Sequence, residues 1–379
     1  MPDDLRRIVE QVATESDTLR EARRSFEICN ACRYCEGYCA VFPAMGLRRE
    51  FDKGDLTHLA NLCHGCKGCY YACQYAPPHP YAINLPKVLA EVRAESYAEH
   101  AWPQPLARLF ERNGTVLALV TAAVTALLML GVKALTSPEV LYGVHTGEGA
   151  FYRVISHEMM VLLGGATFGF GVLAMLVGAV RYWRTTGSAR AGRITPLPVA
   201  KAAHDAFTLK NLDGGGHGCN DRDGDFTQVK RRLHHALFYG FLLCFAATSV
   251  GTLYHYGFGW QAPYGYLSLP SVLGTVGGIG MCIGAGGLIW LKIVQDPEPV
   301  ARRLMGGEYA LLVLLFLVAA SGLVLTAFRA TSAMGMLLAL HIGLVLALFV
   351  LLPYSKFVHG IYRSLALLRN AIEMRRARG

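Results

Sequence analysis

The pattern of apolar and polar positions divides the chain near Asn113. Before it, charged residues interrupt every apolar run, and the apolar positions fall at helical spacing in LRRIVEQVATESDTLREARRSF and in YAINLPKVLAEVRAES. After it, apolar stretches of about 20 residues recur, the length needed to cross a hydrocarbon core. Six runs stand at 115–135, 157–180, 235–256, 271–291, 309–328 and 334–352, separated by loops holding Pro, Gly or clustered charge. The expected architecture is mainly α: a small helical domain over 1–113, then a six-helix transmembrane bundle over 114–379 with a long loop at 181–233.

Charge orients this plan. An even number of spans returns the chain to its starting side, and Arg181, Arg184, Arg190, Arg193, Lys230, Arg231, Arg232, Lys292, Arg302, Arg303, Lys356, Arg375, Arg376 and Arg378 all fall beside the ends on that side. The opposite loops offer little beyond Lys133, Arg153 and Arg329. The positive-inside rule places both termini and the N-terminal domain in the cytoplasm. The formal charge of +9 is thus a membrane-border excess and argues against a nucleic-acid partner. With 53% hydrophobic residues and a mean hydropathy of +0.33, an ordinary soluble domain is excluded. Trp102, Trp183, Trp260 and Trp290 sit at or near the edges of apolar runs, as an interfacial belt requires. Residues 1–30 show no basic start followed by an apolar core, so no secretory signal is read and the cysteines are expected in a reducing compartment.

Those cysteines are dense. CNACRYCEGYC at 29–39 and CHGCKGCYYAC at 63–73 each read C-x2-C-x2-C-x3-C. Paired structural zinc uses two CxxC pairs, whereas this run, written twice, is the two-cluster ferredoxin spacing, in which the fourth cysteine ligates the other cluster. Cys29, Cys32, Cys35 and Cys73 are therefore expected to hold one [4Fe–4S] cluster, and Cys63, Cys66, Cys69 and Cys39 the second. The proline that usually follows the fourth cysteine is replaced by Ala40 and Gln74, with Pro43 and Pro77 a few residues on. Cys219, Cys244 and Cys282 lie apart, the last two as packing residues.

Histidine is the recurrent ionisable residue of the apolar region, where such residues are costly and tend to be functional. His157 opens the second run, His234 and His235 open the third, His255 closes it, His341 lies in the sixth and His359 just beyond. Two imidazoles at one depth make a b-type haem site. His341 and His359, 18 residues apart, share a face if the helix is continuous, at about 27 Å separation. The expected pairs are His234 or His235 with His359 near the cytoplasmic border, and His255 or His157 with His341 near the outer one, for one or two haems. A proton relay or a bound metal ion is the rival use. The glycines of SVLGTVGGIGMCIGAGGLIW, with GxxxG spacings at Gly274/Gly278 and Gly280/Gly284, read as close helix packing. The loop 193–230 reads as a docking surface over the cluster domain or a partner; His204, His217 and Cys219 are its weaker candidates for a metal.

Together with the loop DGGGHGCND, the stretch RRLHHALFYGFLLCFAATSVGTLYHY and the ending PYSKFVHGIYR, the cysteine runs resemble those of the tricarballylate-utilisation protein B, or CitB, family, over nearly the whole length. The resemblance implies a protein of the bacterial inner membrane. It would take electrons from an FAD-dependent tricarballylate dehydrogenase and pass them through iron–sulfur clusters and haem to the quinone pool. The last span also resembles the γ subunit of respiratory nitrate reductases, in which two histidines spaced as His341 and His359 serve different haems. The partner histidines of that family are ten residues apart, whereas Cys244 and Phe245 stand ten beyond His234 and His235 here.

No flavin or nicotinamide fingerprint is present, so dehydrogenation belongs to a partner. The expected role is the electron-transfer subunit of a quinone-reducing system; a membrane anchor or cluster-based redox sensor is the alternative. The quinone site has no readable motif, and Lys356, Tyr354 and Arg363 are candidates by position alone.

Overall fold

The computed structural model describes residues 15–109, 113–188 and 191–378. Residues 5–14 of the expected first helix, and Arg190, lie outside them. Among the described residues the fold is helical, with a single isolated β-bridge between Cys219 and Thr227.

The N-terminal helix Asp17–Cys32 starts where the Ser16 hydroxyl accepts the Leu19 N–H, and it ends at Arg33, which takes a left-handed conformation. Cys29 and Cys32 therefore ride on its last turn, three residues apart on one face, and not in a free loop. Asp52 caps Lys53–Leu62 by accepting the Asp55 N–H at 2.7 Å. Asn84 caps Leu85–His100, whose second residue is Pro86, at a position that needs no amide donor. The apolar stripes of these three helices close a core of Phe26, Leu56, Leu59, Leu62 and Leu89, with Phe26 and Phe51 stacked at 5.4 Å. In water each such fully buried side chain contributes about 1.5–3 kcal/mol.

Among the described residues six helices are long and apolar enough to span a membrane: span 1, Gly114–Leu135; span 2, His157–Thr185; span 3, Val229–Phe258; span 4, Leu269–Val294; span 5, Arg302–Phe328; and span 6, Met334–Tyr354. Spans 1, 5 and 6 pack mutually through Leu117, Leu314, Leu315, Leu344 and Leu348. Span 2 leans on span 6, span 4 on span 5, and span 3 lies outermost against span 4. Lipid is as apolar as leucine, so close approach and not hydrophobic burial must hold the outer pair. The seam is glycine: of the two expected spacings Gly280/Gly284 lies on it, a Cβ on Gly280 standing 3.2 Å from the Ala236 carbonyl, while Gly278 of the other faces Leu323 of span 5. A Cβ on Gly277 would stand 2.7 Å from the Gly240 carbonyl and 2.9 Å from the Cys244 amide, and Gly284 abuts Leu237, while Gly274 meets nothing nearer than 3.7 Å.

Span 6 does not run on to His359. Pro353 cannot donate its amide and breaks the helix into two 3-10 turns, Leu352–Tyr354 and Lys356–Val358, after which a separate helix runs from His359 to Arg376. The expected common face of His341 and His359 is thereby lost. The last helix returns to the N-terminal domain, where Ala366 and Leu367 join its core with Ala202 from the helix Pro196–Phe207. A four-charge cluster seals the join. Arg48 pairs with Asp55 at 2.7 Å and Glu373 at 2.8 Å, and Arg369 pairs with Asp55 at 2.8 Å and Glu373 at 2.7 Å. Arg369 also donates to the Thr186 carbonyl beyond span 2, so one guanidinium ties three elements.

Candidate metal and cofactor site

The eight thiols of the two runs sort into two groups that exchange one member each. Cys29, Cys32, Cys35 and Cys73 act on one another electrostatically and line a common hollow with Ile28, Phe42 and Ile83. Cys39 faces Cys63 and Cys66, and Cys69 faces Cys66, Cys63 and Cys39. The groups meet at Cys35 and Cys69. Burial first, then neighbouring thiols, pushes Cys29 up to about 12 and Cys35 up to about 11, and holds Cys39 and Cys69 well above the ordinary thiol value. Such a cage cannot carry four thiolates until cations neutralise them. Four sulfurs on one ion, each about 2.3 Å from it, must stand within roughly 4 Å of one another. Among the described residues no three His, Cys, Asp or Glu side chains form such a single-ion site.

The second run abuts the bundle. Arg93 donates to the Cys63 carbonyl at 2.9 Å and to Ala60 at 3.0 Å, and Arg363 of the last helix donates to the same Cys63 carbonyl at 2.9 Å. One turn back on that helix, His359 bonds the Lys356 carbonyl through Nδ1, and its ring lies 6.0 Å from that of His234 at 78°. Two imidazoles on opposite sides of one iron, each about 2 Å from it, set their ring centres roughly 6 Å apart. The bond to Lys356 leaves Nε2 of His359 as the ligand nitrogen, and Nδ1 of His234 is buried with no partner. Burial, then Arg363 and His234, holds His359 well below its ordinary value, in the neutral form an iron takes. This pair fits a haem.

Two family models match separate stretches of the chain. The model of the "Citrate utilization protein B Fer4-like domain" matches residues 22–99 and that of "Citrate utilization protein B" matches 111–379. The chain belongs to the citrate utilization protein B family. The Escherichia coli protein of that name is 45% identical over 373 residues, covering 97% of this chain and 95% of that relative. No solved structure matches the chain. In this chain the Fer4-like domain is joined to six apolar helices.

His157 and His255 meet at the far end of spans 2 and 3, but stacked, ring centres 3.8 Å apart and planes 14° apart. No iron fits between rings so close, so this pair does not fit a bis-imidazole site. His341 meets neither of them. Its Nδ1 lies 3.0 Å from the Ser321 hydroxyl, and its ring rests on Gly322 of span 5. The expected partnership with His255 or His157 is not formed because His341 faces span 5, while spans 2 and 3 bring the other two together. His235 turns away from His359 toward Tyr239, ring centres 5.7 Å apart. Tyr354 and Lys356 border a crevice beside the Leu85–His100 helix, whereas Arg363 points at Cys63.

The loop after span 2 lies on the second cysteine run of the Fer4-like domain. The Asn220 amide donates to the Cys66 carbonyl at 2.9 Å, Lys230 donates to Gly65 at 2.9 Å, and Cys219 packs with Cys66, Leu209 and Leu212. Its metal candidates are scattered: Cys219 is buried, His217 stands against Phe226 and His204 beside Asp205. A residue not singled out from the sequence is His64, next to Cys63. Its Nδ1 lies 2.8 Å from the Leu62 carbonyl, its Nε2 is buried without a partner, and Arg363 and the His234 ring are its neighbours. Inside a cysteine run it reads as a spacer; only the fold turns it toward the bundle.

Proposed function

We propose that the chain is a membrane electron-transfer protein. Electrons from a reduced FAD-dependent dehydrogenase of the tricarballylate type would enter at the N-terminal domain and leave on a membrane quinone, with that domain and both termini in the cytoplasm. Cys29, Cys32, Cys35 and Cys73 would hold one [4Fe–4S] cluster, Cys63, Cys66, Cys69 and Cys39 the other, and His234 with His359 one b-type haem. Bound there, these groups supply one-electron carriers. The observation that carries the reading is the crossed grouping of the thiols, which a two-cluster domain requires and a pair of zinc sites does not.

The chain's own residues do the rest. The hydrophobic core keeps water from the buried thiols. Arg93 and Arg363 both fix the Cys63 carbonyl, which holds the second cysteine run at a set distance from His359, four residues before Arg363. The carriers pass electrons without acid–base catalysis, and protons enter only where the quinone is reduced. Iron, acid-labile sulfide and haem counted per chain test the assignment; about nine iron, of which eight are non-haem, about eight sulfide and one haem are expected for two cubanes and one haem. Dithionite-reduced protein should then lose its reduced haem bands when a short-chain quinone is added. Zinc in place of iron, or a protein that stays reduced, refutes it and leaves the anchor or sensor reading.

A further inference from the structure

A crevice of about 490 Å3 lies where the N-terminal domain meets the bundle, within the roughly 300–1,000 Å3 range of small-ligand pockets. One wall is the Leu85–His100 helix, which presents Ala90, Ala94 and Ala98 at four-residue intervals on one face, a smooth apolar strip. The other wall is the break after span 6 and the start of span 5, with Tyr354, Lys356 and Glu308. Glu308 is ion-paired with both Lys292 and Lys356. The short helix Gln104–Leu109, between Trp102 and span 1, closes one end and sets the crevice at the level where the apolar helices begin.

Its position between the two candidate redox sites is the decisive feature. Arg93, in the lining, donates to the carbonyl of Cys63 at 2.9 Å, and Lys356, also in the lining, bonds His359 through its own carbonyl. Each site is one residue away. The charge of the lining also narrows the ligand. Arg93, Arg303 and Lys356 are offset by Glu95, Glu99 and Glu308, so an anionic lipid headgroup meets as much repulsion as attraction, whereas a flat neutral molecule with carbonyl acceptors suits both the alanine strip and the cations.

We propose that this crevice binds the ring of a membrane quinone, the acceptor in the reading above, on which this inference rests. Lys356 and Arg93 are the donors in reach of its carbonyl oxygens. Two electrons, drawn ultimately from a reduced flavin, and two protons from water turn both ring carbonyls into hydroxyls. Water has access past Glu95 and Glu99, whose side chains are 36% and 41% exposed.

The test uses the full chain with its iron retained, in lipid nanodiscs. An azido derivative of a short-chain benzoquinone, activated by light on the unmodified protein, should label peptides within 85–107 and 303–308 or 353–358, and excess unlabelled quinone should abolish the labelling. Ala98→Trp, which fills the strip, should weaken the Kd of the same quinone by more than about tenfold in equilibrium dialysis while iron, sulfide and haem contents stay as in the parent. Saturable labelling only elsewhere, non-saturable labelling as expected of mere partitioning into lipid, or an unchanged Kd in Ala98→Trp overturns the proposal. If that variant does not fold, the labelling of the unmodified chain decides. Absence of iron in the parent protein refutes electron transfer separately, because quinone labelling does not depend on it.

Discussion

Glu373→Gln should detach the last helix from the N-terminal domain. Arg48 and Arg369 have side chains only 7% and 8% exposed, and each bonds both Asp55 and Glu373. Removing one carboxylate charge leaves two buried guanidiniums on one aspartate. Breaking a buried pair costs about 3–5 kcal/mol. Here Glu373 and Asp55 keep 14% and 19% exposure, and glutamine keeps an acceptor oxygen, so the low end applies, about 3 kcal/mol. The helix carries His359 and Arg363, so its loosening matters for the site. Hydrogen exchange read by mass spectrometry is the assay: amides in 359–376 should exchange about 100-fold faster, the ratio that 3 kcal/mol implies, while spans 1 and 5 keep their protection. High salt should change little, because the charges are buried. Arg48→Met with Glu373→Gln should cost less than the two singles added, since the pair removes matched charges. Acceleration under tenfold, or equal acceleration throughout the chain, refutes the clamp.

The remaining predictions follow from single contacts. His58 is fully buried beside Arg48 and Arg369, and burial, then Arg369 and Arg48, holds it well below 6.5. The unfolded chain takes up a proton below that pH and the folded chain does not, so stability present above pH 6.5 is lost as pH falls, by about 1.4 kcal/mol per pH unit for one proton. Thermal unfolding at several pH values should show this slope flattened in His58→Gln. Gly277→Val should destabilise by about 1–3 kcal/mol through its clash with the Gly240 carbonyl, whereas Gly274→Ala, in open contact, should be neutral in the same unfolding assay. His234→Leu and His359→Leu should each abolish haem absorption, while His341→Leu, whose partner is Ser321, should leave it intact; loss in all three would restore the sixth span as a haem helix.

Local grammar made much of this protein legible before any fold was known. Cysteine spacing named the metal chemistry, because the reach of a short loop is set within a dozen residues. Hydropathy located all six spans, because a bilayer demands a fixed length of apolar helix whatever its neighbours. Which end of an apolar run each histidine stands at was legible for the same reason. Partnership was not. The rule of 3.6 residues per turn carried His341 and His359 onto one face only while the helix stayed whole, and Pro353 ended it.

What only the tertiary structure decided are the meetings of residues far apart in the chain. His157 stacks on His255, His234 faces His359, Arg363 reaches Cys63 from 300 positions away, and the last helix closes the core of the first domain. A sequence pattern reports which face of an element is apolar or how deep it lies, and both are set by neighbours along the chain. Which two faces meet depends on the order in which spans pack, and in a bilayer that order follows the fit of small and large side chains at each seam, a property of pairs of helices that no single stretch contains.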